Sequence, residues 1–257
     1  MTTKQIFEYF DKMACVTFAT LDGKGYIESR VAYFCTYDED GLYFWTMSAN
    51  SFYRQLMRTN KVSAYAMTPQ TVKHNDSQRV LLEPGYTIYI SGDVRELSKN
   101  QVRDKAQTKS GFYLATLGTE NNPGARFFCL YAGRGEIFDY DYEKVNRTHK
   151  LLRRPFSFGG MTAVEPGLRI ADTCIECGLC LEVCTFDAIE EGSPFVIDGT
   201  RCEECGNCCS VCPVKAIRHK EDTMHQDEAA ALGQGKANLC QGKAAQGKAN
   251  LAQGKVS

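Results

Sequence analysis

The amino-acid sequence predicts a mainly β chain, an antiparallel barrel with short helices, that carries a small cysteine-rich appendage. Three features predict it. Residues 1–150 hold β-branched and aromatic runs parted by Gly/Asp turns, residues 151–167 are rich in Pro and Gly, and nine of the thirteen cysteines fall between Cys174 and Cys212. At 257 residues the chain is long enough for a main domain and a smaller second one. A hydrophobic share of 43% with 24% charged residues fits a water-soluble globular protein, and a formal net charge of -1 supplies no attraction to nucleic acid or to an anionic membrane. The opening MTTKQIFEYF has no basic region ahead of an apolar run and a cleavage site, and no stretch approaches bilayer length. A cytoplasmic location is therefore expected.

In TKQIFEYFDKM, Ile6, Phe7, Phe10 and Met13 lie near helical spacing, which predicts an amphipathic helix. ACVTFATL (14–21), YIESRVAYFCTY (26–37) and LYFWTM (42–47) follow as strands, separated by DGKG and DEDG, and read as an antiparallel meander. SFYRQLMRTN (51–60) predicts a helix, VSAYAM (62–67) a strand, YTIYISGDVREL (86–97) a long strand and KNQVRDKAQ (99–107) an exposed helix. ARFFCLYA and GEIFDYD read as two strands flanking a turn at Gly133. About six strands in succession favour a closed or nearly closed barrel, which removes vulnerable sheet edges.

Segment 68–85 is longer than an ordinary hairpin loop and has two readings, a lid over a pocket or a surface loop. LLRRPFSFGGMTAVEPG (151–167) reads as a linker between domains. From about residue 222 the triplet QGK occurs four times with few large apolar residues, so 222–257 is expected to be a disordered tail, with Cys240 isolated inside it. Cys15, Cys35 and Cys129 lie in apolar, strand-like contexts and are expected to be small buried hydrophobes.

CIECGLCLEVCTFDAI (174–189) and CEECGNCCSVCPVKAI (202–217) are an internal repeat, identical at nine of sixteen positions. Each half has the spacing CxxCxxCxxxC, in which three thiolates on a tight loop suit three corners of one cubane cluster while the fourth begins a helix pointing away. Zinc also takes four thiolates, but its sites usually pair two CxxC knuckles across a longer spacer. The region 168–221 resembles bacterial two-cluster ferredoxins, small α+β domains. That resemblance implies that Cys174, Cys177, Cys180 and Cys212 hold one 4Fe-4S cluster, and Cys202, Cys205, Cys208 and Cys184 the other. Thr185 departs from the proline usual after the fourth cysteine. Cys209 aligns with Leu181 and is expected to fill an apolar slot.

No GxGxxG opening a βαβ unit and no Walker sequence appears, so neither nucleotide fold is predicted upstream. The succession YIESRVAYF, DGLYFWTMSANSFYRQL, NKVSAYAM and YTIYISGDVREL over residues 1–145 resembles the pyridoxamine 5'-phosphate oxidase-like family of FMN-binding split barrels. The resemblance implies FMN held by Arg30, Val31, Trp45, Thr46, Ser48, Asn50, Ser51, Arg54 and Gln55, and a homodimer with flavin at its interface. A basic residue common in the turn is replaced here by Asn50, Ser51 or Phe52, which leaves Arg54 or a partner subunit to compensate. Read singly, Arg30 could equally be a solvated strand residue, Ser51 a helix cap, and Thr46 and Trp45 strand and core residues.

Together these readings predict an iron-sulfur flavoprotein oxidoreductase of an anaerobe. Electrons would pass through two 4Fe-4S clusters to or from FMN, with a soluble protein as donor or acceptor and a small organic molecule as substrate. The alternative is a non-enzymatic electron-transfer protein. A true pyridoxamine phosphate oxidase is disfavoured, because peroxide formation beside oxidation-sensitive clusters is chemically awkward. The four histidines do not cluster in sequence, and no catalytic residue is nominated.

Overall fold

The computed structural model describes residues 1–13, 15–68, 73–74, 80–81, 85–108, 112–113, 122–140 and 152–220. Among them the fold is mixed, dominated by an antiparallel sheet. Helix α1 (Thr3–Met13) turns Ile6, Phe10 and Met13 into the core, the face that the spacing predicts. Strands β1 (Val16–Leu21), β2 (Ile27–Ala32), β3 (Thr36–Asp38) and β4 (Gly41–Met47) precede α2 (Ser51–Thr59) and β5 (Lys61–Met67). A two-residue ladder, β6 (Lys73–His74) with β7 (Val80–Leu81), leads to β8 (Gly85–Glu96), α3 (Lys99–Thr108), β9 (Ala125–Tyr140) and β10 (Leu152–Phe158). Apart from that ladder, Thr68 and Gly85, the expected lid at 68–85 lies outside the described residues, as does the expected tail at 222–257.

Eight of these strands form one sheet in the order β2-β1-β5-β8-β9-β4-β3, with β10 also paired to β9. Two expectations are corrected here, a single strand over 26–37 and a turn at Gly133. Both pairings of the meander form, β1 with β2 and β3 with β4, but segment 26–37 is not one strand: it breaks into β2 and β3, and β4 pairs on its other side with β9, with Trp45 opposite Phe127. β2 and β3, consecutive in sequence, stand at the two ends of the strand order, and no ladder joins them among the described residues. The turn at Gly133 is absent, since β9 runs unbroken through it. Gly133 faces Gly92 across the ladder, and a Cβ on Gly92 would lie 2.1 Å from the Ala132 carbonyl oxygen, so the paired glycines let the strands coil past each other at the Asp93/Val94 bulge.

The segment read as a linker is corrected in part as well. Residues 152–158 are β10, an added strand in which Pro155 lies opposite Glu136. Proline is tolerated on such an edge because no ladder donor is needed there. Beneath the sheet, Phe18, Phe34, Phe44, Phe52 and Phe128 form a connected aromatic core, with centroids 5.0 Å apart for Phe18–Phe44 and 5.7 Å for Phe44–Phe128. A second apolar cluster between the sheet and α3 contains Tyr43, Leu97, Phe112, Phe127 and Cys129. Cys129 is buried and Cys35 half-buried, and burial pushes their thiols up to about 11 and about 12. Cys15 is exposed rather than buried, because it precedes the first inward position of β1, Val16.

The cysteine region is a small unit of short elements: β11 (Leu168–Ile170), α4 (Leu179–Glu182), β12 (Ile189–Glu190), β13 (Val196–Ile197), α5 (Asn207–Val211) and β14 (Ile217–His219). The first strand of each half pairs with the last strand of the other, β11 with β14 and β12 with β13. The repeat therefore interlocks instead of lying as two beads. No described helix is long and apolar enough to cross a membrane.

Candidate functional site

The two halves of the repeat have the same backbone as well as the same cysteines. Glu176 and Glu204 both sit at φ 57°, Gly178 and Gly206 at 78° and 79°, and Asp187 and Lys215 at 46° and 52°. Each left-handed residue turns the loop so that backbone amides face sulfur. The amides of Glu176 and Glu204 donate to the Sγ atoms of Cys174 and Cys202 at 3.4 Å; those of Ala188 and Ala216 donate to Cys184 and Cys212 at 3.3 and 3.2 Å. Gly178 and Gly206 have open space where a Cβ would go, so glycine serves the positive φ there rather than a tight fit.

This folding brings the spaced cysteines together in two sets. Cys174, Cys177, Cys180 and Cys212 line one cavity, walled by Ile170, Phe195 and Ile217. Cys184, Cys202, Cys205 and Cys208 line the other, walled by Leu168, Phe186 and Ile197. Each set takes three cysteines from one half and the fourth from the other half. Cys209 borders neither cavity and packs at the edge of the apolar cluster, its Sγ 3.9 Å from the Ile217 carbonyl oxygen.

The electrostatics of the two sets ask for a counter-charge. Burial raises the Cys180 and Cys202 thiols, which makes bare thiolates costly, whereas contact with Cys209 lowers Cys208 to about 7. Among the described residues no three Cys, His, Asp or Glu side chains converge closely enough for a single metal ion. Zinc bonds of 2.3 Å would draw four sulfurs to within about 3.8 Å of one another. Four thiols spaced around an apolar cavity, with amides aimed at the sulfurs, are a donor set that fits a polynuclear iron-sulfur cluster.

The residues expected to hold FMN are only partly gathered. Arg30 faces inward from β2, donating from Nη1 to Thr20 Oγ1 (2.6 Å) and from Nη2 to Gln55 Oε1 (3.0 Å) and Glu28 Oε2 (3.1 Å). Its guanidinium carbon lies 4.5 Å from the centre of the Phe52 ring, and burial lowers its pKa against the raising effect of Glu28. Ser51 Oγ donates to the same Glu28 oxygen at 3.3 Å. Asn50 caps α2 by accepting from the Tyr53 amide, while its own amide group donates to Thr46 Oγ1 at 2.7 Å.

The rest stand apart. Arg54 is exposed and donates to the Ala49 carbonyl, and the Ser48 amide donates to the Gly124 carbonyl. Val31 points out from the opposite face of β2 from Arg30, 70% exposed, and Trp45 packs into the cluster near α3. Sequence reasoning missed Glu28, whose carboxylate already accepts from both Arg30 and Ser51, the donors expected to hold a phosphate. It also missed a cavity of about 1040 Å³ that meets this cluster at Thr20 and extends past Leu21, Ile27, Lys61, Arg134 and Met161. The alternation of β1, β5 and β8 could have flagged its lining; the covering residues Met161 and Thr162 come from the segment read as linker.

A third group joins sheet to cysteine loop. Arg153 of β10 is 11% exposed and forks onto the Glu136 carboxylate of β9. Its Nη1 reaches Glu204 Oε1 (2.7 Å) and the Cys202 carbonyl oxygen (3.0 Å), and its backbone amide donates to the Thr200 carbonyl. Phe138 of β9 packs beside it against the cysteine-region core.

Comparison with solved structures finds low-identity likenesses. A NimC/NimA family protein from Clostridium acetobutylicum is 17% identical over 61% of this chain and 92% of its own, with a TM-score of 0.42. HutZ, a heme storage protein from Vibrio cholerae, is 16% identical over 51% and 90%, with a TM-score of 0.37. A pyridoxamine 5'-phosphate oxidase-related FMN-binding protein from Nostoc punctiforme is 13% identical over 63% and 96%, with a TM-score of 0.39. At these TM-scores the likenesses carry no functional weight. No curated protein matches the chain. The family described as 4Fe-4S binding domain matches residues 169–190, so the chain carries a ferredoxin-type iron-sulfur binding motif over the first half of its cysteine repeat.

Proposed function

We propose that the chain is an iron-sulfur flavoprotein oxidoreductase. Cys174, Cys177, Cys180 and Cys212 hold one 4Fe-4S cluster and Cys184, Cys202, Cys205 and Cys208 the second, with FMN bound to the sheet region and a small organic molecule as acceptor. The observation that carries this reading is the pair of cavities, each lined by four cysteines drawn from both halves of the repeat. When bound, such clusters supply one-electron transfer, and a flavin couples single electrons to a two-electron reduction. The chain's own part is to ligate, to aim amides at sulfur, and to keep water out with Ile170, Phe186, Phe195 and Ile197.

Support for FMN is the inward Arg30, the capped N-terminus of α2 at Asn50 and Ser51, and the adjoining cavity bordered by Thr20. Glu28 must leave Arg30 and Ser51 before a phosphate can take those donors. Its engagement favours a second reading, an electron-transfer protein that turns over no small molecule. Anaerobic purification with iron, acid-labile sulfide and flavin counted per chain tests both. Eight irons, eight sulfides and one flavin are expected from two cubanes and one FMN. Stoichiometric zinc without sulfide overturns the cluster assignment, clusters without flavin after reconstitution overturn the FMN assignment, and reduction and reoxidation by proteins without turnover of any small molecule mark the electron-transfer reading.

A further inference from the structure

The repeat is symmetric in its cysteines, its φ angles and its amide-to-sulfur bonds, but its surroundings are not. Glu204 and Glu176 are equivalent positions, each two residues after the first cysteine of its half. Glu204 accepts from the Gly167 amide at 2.7 Å and faces Arg153, which also reaches the Cys202 carbonyl and the buried Glu136. Glu176 is exposed, and its side-chain partner is the neutral hydroxyl of Ser193. One loop thus rests against a buried cation on β10, and the equivalent glutamate of its twin is exposed. Burial matters because a charge in a weakly polar setting acts over several ångströms, whereas an exposed one is screened within a Debye length.

We infer that Arg153 makes the two clusters electronically unequal, acting as a positioning residue that tunes the cluster of Cys202, Cys205, Cys208 and Cys184 and not the other. The inference rests on the cluster assignment above. A reduced cluster carries one more negative charge than an oxidised one, so a fixed cation against the Cys202 carbonyl favours reduction there, and the Glu204 and Glu136 carboxylates paired with it oppose it. Arg153 and Glu204 therefore act on the same cluster with opposite sign. The Arg153 amide on the Thr200 carbonyl and its guanidinium on the Cys202 carbonyl tie this cluster's loop to β10.

The test is an EPR-monitored redox titration of the full, anaerobically loaded chain, after iron and sulfide have been counted in the wild type. A wild type without clusters defeats the earlier reading; the midpoints of the loaded protein decide this one. Arg153→Gln is expected to lower one midpoint, by about tenfold in the electron-uptake equilibrium or ~59 mV for one electron, and to leave the other in place. Arg153→Lys, which keeps the charge, should restore most of the difference. Glu204→Gln should raise the midpoint that Arg153→Gln lowers. Two midpoints that move together, no movement, or different midpoints answering to the two variants would overturn the inference. If Arg153→Gln does not load, Glu204→Gln decides alone, and anything other than a rise in a single midpoint counts against it.

Discussion

Among the described residues, Phe18, Phe44 and Phe128 are fully buried in a sheet-region core of twenty, while the core around the cysteine cavities has nine, three of them cysteines proposed as ligands. The strands differ likewise: β8 and β9 run for twelve and sixteen residues, but β12 and β13 for two each. A unit of some fifty residues with ladders so short cannot bury enough apolar surface to offset its chain entropy, and units of that size usually need a metal or disulfides. Its described cysteines form no disulfides. The sheet region should therefore stand on its own packing, and the cysteine region on what its thiolates bind.

Removing iron is the most direct way to break this comparison. Anaerobic chelation should abolish hydrogen-exchange protection across residues 168–220 while β5, β8 and β9 keep theirs; equal loss in both would refute the division. In the converse experiment, Phe44→Ala should cost the sheet about 4 kcal/mol in denaturant unfolding and leave the iron count per folded chain unchanged. A fall in iron would mean that the cysteine region borrows stability from the aromatic core.

Acid offers a milder probe. Burial would raise the Asp38 carboxyl, but the Lys105 ammonium, the Tyr43 hydroxyl and the Asp40 amide outweigh it and hold it below its ordinary value. A folded value below the unfolded one contributes stability that is complete above about pH 4 and is lost as pH falls through the folded value. Asp38→Ala should remove about 3 kcal/mol from the sheet at neutral pH and flatten that acid limb, which pH-dependent unfolding would reveal. The smallest effect is expected at Cys209. Cys209→Ala should change stability by about 1 kcal/mol and leave the iron and sulfide content unaltered, since the residue borders neither cavity. Loss of iron in that variant would assign it as a ligand and undo the symmetry of the repeat.

The two regions were also unequally legible. Cysteine spacing reports a local loop, and residues three apart on a tight turn must converge whatever surrounds them. Three cysteines of each cavity follow from one such loop; the fourth, drawn from the other half, was implied only by the resemblance to two-cluster ferredoxins. Helices α1, α2 and α3 and strands β5 and β8 were equally local, written in periodicity and caps. The break of segment 26–37 at residues 33–35 was not, and neither was the pairing of β4 with the distant strand β9. The FMN residues failed to gather in full for a related reason. Period-two alternation puts Arg30 and Val31 on opposite faces of one strand, and Glu28 reaches Ser51 only because β2 and α2 meet through β1.

Sequence alone determined the repeat, its two three-cysteine loops and the identity of most single elements, since each is governed by interactions among neighbours along the chain. Only the tertiary structure decided which strands pair, that the supposed linker supplies β10, and that Arg153 leans on one cysteine loop and not on its twin. Those outcomes depend on burial and charge between residues as far apart as Glu136 and Glu204. No local pattern encodes such distances; they arise when separate elements compete for the same buried edge and the same counter-charge.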